Sequence, residues 1–103
     1  MFLYTVIIEL PSAEFTDELL RWLEDDHLQE VCDAGAERAE AVLLDSPDRI
    51  VECRYWFASR DAFARYEAGP AEALRADGRD RFGPERGVRM SRTTGDVRLA
   101  RGS

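Results

Sequence analysis

Residues 49–57, Arg-Ile-Val-Glu-Cys-Arg-Tyr-Trp-Phe, alternate with the two-residue period of a β-strand. The odd positions Val51, Cys53, Tyr55 and Phe57 are apolar or aromatic, and the even positions set Ile50 and Trp56 beside Glu52 and Arg54. Phe2–Leu10 repeats the arrangement: Phe2, Tyr4, Val6 and Ile8 fall on one side, Leu3, Thr5, Ile7 and Glu9 on the other. The stretch from Phe2 to Leu10, apolar on both sides, reads as a central strand. One face is wholly apolar, and the second carries more apolar surface than a monomer leaves in water. Any fold of this chain has to cover both.

The intervals between strands are helical. Pro11 ends the first strand because it has no N–H to give the ladder. Ser12 or Thr16 is placed to cap the helix that follows. Phe15, Leu19, Trp22, Leu23, His27 and Val31 recur at helical spacing, Asp17 and Glu18 sit near the positive end of the helix dipole, and Gly35 is a stop signal. Residues 36–44 alternate weakly and read as a second strand, joined to the third by the turn cluster Asp45-Ser46-Pro47-Asp48. Ser59 caps a second helix carrying Ala62, Phe63 and Tyr66, which Gly69-Pro70 interrupts. A short helical turn is predicted from Pro70 through Leu74, then a charged loop over 78–87 anchored by Phe82, then a fourth strand over 88–94.

The order is β-α-β-β-α-β. Right-handed crossovers then place both helices on one face of a four-stranded antiparallel sheet, an α+β, ferredoxin-like fold. The bare face with Ile50 and Trp56 is expected to pack on the same face of a second copy, giving a homodimeric α/β barrel. Residues 1–95 form one domain on this reading. Residues 96–103 form a flexible tail whose end, Arg101-Gly102-Ser103, has a vector-like composition.

Composition narrows the function. A net charge of −7 argues against nucleic acid, which demands a basic surface. All 14 cations are arginines, so lysine Schiff-base chemistry is excluded and arginine is the one side-chain cation for an anionic ligand. No apolar run approaches the roughly 20 residues of a membrane span. The N-terminal apolar stretch is broken by Glu9, so it reads as a strand and the expected location is the cytoplasm. Cys32 and Cys53 read as buried free thiols; with one histidine they make no tetrahedral metal set.

Four stretches together resemble a small bacterial family of unknown function within the dimeric α/β-barrel superfamily. They are Tyr4-Thr5-Val6; the helical run Trp22-Leu23-Glu24-Asp25-Asp26-His27-Leu28, followed by Gly35; Tyr55-Trp56-Phe57; and Tyr66 through Ala71-Glu72-Ala73-Leu74-Arg75 to Arg81-Phe82-Gly83. The likeness covers about 90 residues. Gln29 stands where the family pattern often carries proline, so here the helix is expected to run on. The superfamily includes cofactor-free quinone-forming monooxygenases and polyketide cyclases. Its haem branches use longer chains and set their ligand histidine differently. The resemblance therefore implies a small-molecule pocket between helices and sheet, with no cofactor.

His27 is the lone histidine and the only side chain with an ordinary pKa near neutrality. Facing the gap between helix and sheet, it would serve as general acid or base on a phenolic or enolisable substrate. Bonded to Asp26, Glu30 or a tyrosine, it would be a structural residue. Tyr4 is the candidate orienting hydroxyl, and Trp22, Tyr55 and Tyr66 are candidate ligand-binding residues; core packing is the competing reading for each. Glu52 and Arg54 suit either a polar ligand or an ion pair between subunits, and Arg75, Arg79 and Arg81 read as a solvated surface. Two functions stand against each other. One is a small-molecule pocket protein of the cofactor-independent monooxygenase or cyclase type, with an aromatic or polyketide-like substrate. The other is a non-catalytic dimeric ligand-sensing or structural module.

Overall fold

The computed structural model of the chain describes residues 1–102, so Ser103 of the expected tail lies outside the described residues. The elements run β1 (Phe2–Glu9), α1 (Ala13–Trp22), a π-helical turn (Leu23–His27), α2 (Leu28–Asp33), β2 (Arg38–Leu43), β3 (Ile50–Phe57), α3 (Arg60–Ala68), α4 (Ala71–Arg81), a 3-10 turn (Pro84–Arg86) and β4 (Arg89–Asp96). All strands pair antiparallel in the order β2-β3-β1-β4, the ferredoxin-like βαββαβ arrangement.

The two strands with two-sided patterns are the two central ones. Tyr4 lies opposite Tyr55, and Val6 opposite Cys53. Period-two alternation places Phe2, Tyr4, Val6 and Ile8 on the face of Val51, Cys53, Tyr55 and Phe57, and all eight are buried. This is the helix-covered face. Phe63 and Tyr66 of α3 sit over it with ring centroids 5.2 and 5.1 Å from Phe57. Each such pair adds about 0.5–1.5 kcal/mol beyond the area it buries.

Ser12 proves to be the cap of α1: its Oγ accepts from the Phe15 N–H at 3.3 Å. Thr16 lies within the helix and is buried. Ser59 caps α3 in the same way, accepting from Ala62 N–H at 3.1 Å. Loss of either cap costs about 1 kcal/mol. Gly35 follows the helical run with φ 137°, a conformation that favours glycine.

The expected loop over 78–87 is corrected by the structure. Helix α4 continues through Gly78 to Arg81, well beyond the short turn predicted to Leu74. Glycine is a poor helix former, which is why the sequence reads as a break there. A tertiary contact overrides the propensity. Gly78 is buried against the indole of Trp22, and a Cβ placed on it would lie 3.6 Å from that ring. An Asp77–Arg81 pair at 3.1 Å spans the last turn. Strand β4 is also shifted, to Arg89–Asp96, and the Val97 N–H donates to Met1 O at 2.9 Å just beyond it.

Among the described residues, no helix lies over the opposite sheet face. Leu3, Ile7, Ile50 and Trp56 are each half-buried there. Arg54 bonds Glu52 along β3 at 2.9 Å and reaches Glu40 of β2 at 3.5 Å. The Arg38 guanidinium lies 5.3 Å from the centroid of Trp56. Among the described residues, no helix is long and apolar enough to cross a membrane.

Gly78→Ala is expected to raise the unfolding free energy by about 0.5–1 kcal/mol. Its methyl finds an ordinary van der Waals contact with Trp22 while the helix loses its weakest former. The measure is a higher urea midpoint at unchanged slope. Gly78→Val, with a branched side chain forced against the indole, should lower that midpoint.

Candidate functional site

Between the sheet and the helix layer lies a cavity of about 50 Å³. Its floor is Tyr4, Val6 and Ile8 of β1, Cys53 and Tyr55 of β3, and Met90 and Arg92 of β4. Its roof is Trp22, Leu23 and His27 from the first helical run, Tyr66 of α3, and Leu74, Arg75 and Gly78 of α4. The five residues singled out from sequence, Tyr4, Trp22, His27, Tyr55 and Tyr66, all line it.

His27 reaches this cavity through the π-helical turn. The Leu28 N–H donates to Leu23 O, five residues back, so the turn holds one more residue than an α-turn. In an α-helix, residues five apart point about 140° from each other. The wider turn brings them into line, and the imidazole stacks on the Trp22 indole with centroids 4.4 Å apart and planes at 19°. The helical periodicity placed His27 one turn after Leu23; the π-turn puts it over Trp22 instead. Tyr55 meets the same imidazole edge-on at 6.5 Å.

Several polar groups in the lining are not used up by the fold. Among the described residues, His27 Nδ1, Trp22 Nε1 and Arg75 Nε are buried without a hydrogen-bond partner. An unmet buried group costs about 1–3 kcal/mol, so three around one small cavity mark it. Tyr4 Oη accepts from Arg75 Nη2 at 3.2 Å and from Arg92 Nε at 2.9 Å. Both acceptor positions of that hydroxyl are taken, which leaves its own proton to be donated. The indole, the guanidinium and the phenol are therefore all donors. The cavity suits an acceptor.

Burial sets the protonation states. It lowers the His27 pKa from the ordinary 6.5, against a smaller opposing pull from Asp77, so the imidazole is neutral at pH 7. Burial also pushes the Cys53 thiol up to about 12 and the Tyr66 phenol up to about 12, and carries Tyr55 well above its ordinary range. These three stay protonated. Arg75 is held above its ordinary value chiefly by its bonds to Glu67, at 2.6 and 2.9 Å. That pair ties α4 to α3 across the Gly69-Pro70 break.

Arg75 corrects an expectation. It is no solvated surface residue: its side chain is 21% exposed and its guanidinium lies in the cavity wall. Arg92 and Cys53 gave no signal as site residues in the sequence. Arg92 shares the parity of Met90 on β4, but only the pairing of β4 against β1 shows that this parity faces the helices. Glu52 and Arg54 are on the opposite sheet face, bonded to each other. Among the described residues, no three His, Cys, Asp or Glu side chains are grouped to hold a metal.

No family model matches the chain, and no curated protein matches it. Solved structures do match. A dimeric ferredoxin-like protein from an uncultured marine organism aligns over 100% of both chains with 12% identity and a TM-score of 0.64. The chain has the fold of the dimeric ferredoxin-like proteins. A variant of MhuD with two manganese protoporphyrins bound per active site aligns over 100% of both chains, with 19% identity and a TM-score of 0.70. The monooxygenase ActVA-Orf6 of Streptomyces coelicolor, in complex with nanaomycin D, covers 98% of this chain and 92% of its own, with 14% identity and a TM-score of 0.67. At these identities the likeness is one of fold.

The single histidine makes the site easy to follow. Its imidazole proton resonance should titrate with a midpoint below 6.5. The folded protein then binds that proton less readily than the unfolded chain, so stability is full above the unfolded value and falls as pH drops through it toward the folded one. Chemical denaturation between about pH 7 and about pH 5.5 should show this loss, and His27→Gln should flatten it.

Proposed function

We propose that this chain is a cytoplasmic, homodimeric small-molecule-binding protein in which His27 and Tyr4 carry cofactor-independent acid–base chemistry on an enolisable or phenolic substrate of aromatic or polyketide-like type. The observation that supports it most is the set of unmet polar groups, His27 Nδ1, Trp22 Nε1 and Arg75 Nε, around one cavity. Neutral His27 takes a proton from the substrate. The oxyanion left behind is met by the donors Tyr4 Oη–H, Trp22 Nε1–H and Arg75 Nε–H. Trp22, Tyr55 and Tyr66 give the substrate ring its aromatic contacts. The resulting enolate then adds dioxygen; the peroxide takes the proton back from His27 and loses water, with cleavage of its O–O bond, to leave the quinone carbonyl, as in a monooxygenase. In a cyclase the enolate adds instead to a second carbonyl of the same molecule, and the alkoxide takes the proton back from His27. The free thiols Cys32 and Cys53 fit a reducing compartment.

Homodimer formation uses the uncovered sheet face. Leu3, Ile7, Ile50 and Trp56 supply its apolar surface, and two such faces pack together with the ion pairs at Glu40, Glu52 and Arg54 between them. Support comes from the dimeric ferredoxin-like proteins of the same fold. Sedimentation velocity at micromolar concentration should give a dimer. Trp56→Arg should give a folded monomer. A wild-type monomer would overturn this pairing.

The size of the cavity, about 50 Å³, favours a second reading, a ligand sensor or structural module without turnover. The two are separated by one pair of measurements. Aerobic oxidation of a hydroxyanthrone to its quinone should be faster with the protein than in buffer, and His27→Gln should lower the enzymatic rate by about 100-fold. Titration with nanaomycin D should quench tryptophan fluorescence saturably. Binding without any acceleration supports the sensor, and neither binding nor acceleration removes both ligand readings.

A further inference from the structure

The inner cavity, at about 50 Å³, is far below the roughly 300–1,000 Å³ that organic ligands occupy. A second hollow of about 420 Å³ lies beside it, where Arg79 and Phe82 at the end of α4 and Pro84 stand beside Val88 and β4. β4 is an edge strand, and its helix-facing residues Arg92 and Thr94 are exposed. Met90 and Arg92 line both hollows.

The groove has a definite chemistry. Phe82, Pro84, Val88 and Met90 give it apolar walls, and Arg79 and Arg92 give it two guanidiniums with no carboxylate in the lining. Arg79 is paired with Glu72 at 3.2 Å and Arg89 with Glu9 at 3.0 Å. Among the described residues, Arg92 has no acidic partner; its Nε donates to the Tyr4 hydroxyl at 2.9 Å.

We infer that the cavity and the groove are two chambers of one site for an apolar carboxylate, and that Arg92 is the gate between them. The inference rests on the cavity being a ligand site. The ligand's hydrocarbon body lies along Phe82, Val88 and Met90. Its carboxylate takes the fork of Arg92, which matches a carboxylate in two parallel hydrogen bonds. Arg92 then gives up Tyr4 Oη, the wall opens, and the Tyr4 hydroxyl turns to the ligand. An acid-bearing ligand is thereby selected over its neutral counterpart before it reaches His27.

The test uses naphthoate and its neutral isostere naphthamide, with affinity from calorimetry and cavity occupancy from the His27 imidazole resonance. Naphthoate should bind saturably and move that resonance. Naphthamide should bind about ten-fold more weakly. Arg92→Gln should abolish the difference between the two, and Arg79→Gln should weaken naphthoate alone; an unchanged thermal midpoint shows that each variant is folded. Equal affinities in the wild type, or naphthoate binding that leaves the His27 resonance in place, overturn the two-chamber site. If naphthamide moves the resonance as readily as naphthoate, the cavity remains a ligand site and the anion gate is wrong. If neither probe binds, the ligand reading of the cavity falls with it.

Discussion

The pairing of β1 with β3 carries the rest of the structure. It sets Tyr4 against Tyr55 and Val6 against Cys53, so that both central strands turn one wholly apolar face the same way. A slip of one residue would set Tyr4 opposite Arg54 and Val6 opposite Glu52, and the face covered by the helices would have to take in charged side chains. The register is therefore fixed by burial. The aromatic layer of Phe2, Tyr4, Phe57, Phe63 and Tyr66 then follows, because period-two side chains from two strands meet helical side chains from α3.

The same pairing creates the candidate site. Packing in the layer is dense, yet the groups at one end are polar. Tyr4 carries a hydroxyl that receives two arginines, one from α4 and one from β4. Trp22 and His27 stand over it, stacked on each other by a π-helical turn that a smooth α-helix would not provide. The glycine at position 78 makes room for the indole. An ordinary hydrophobic core would satisfy or omit the imidazole, indole and guanidinium nitrogens left unpartnered here. Their common location is the strongest physical reason to regard the cavity as more than a packing defect.

Some of this was legible in the residues. The alternation of β1 and β3, the cap at Ser59, the choice of Ser12 or Thr16 for the first helix and the stop at Gly35 all rest on local chemistry, so reading the chain gave the βαββαβ order but not the length of α4. His27, Tyr4, Trp22, Tyr55 and Tyr66 stood out because each is an aromatic or titratable side chain on an otherwise apolar stripe, and the fold brings all five to one cavity. Arg75 did not stand out. It lies in a charged stretch that resembles any solvated helix, and its burial depends on Glu67 from a different helix. Gly78 misled for the converse reason, since a glycine in isolation signals a break and its packing partner is 56 residues away in the chain.

The sequence by itself determined the two faces of β1 and β3, the cap at Ser59 and the βαββαβ order, because these depend on periodicity and on neighbours within a few residues. The tertiary structure alone decided where α4 ends, how His27 is aimed, and which arginines leave the solvent. Each of those is set by a contact between distant segments: Gly78 with Trp22, the i→i+5 turn with the sheet beneath it, and Arg75 and Arg92 with the single hydroxyl of Tyr4. Two-sided alternation says that the sheet needs a cover on each face. Only the assembled fold shows that the helix-covered side keeps a small, donor-rich space within it.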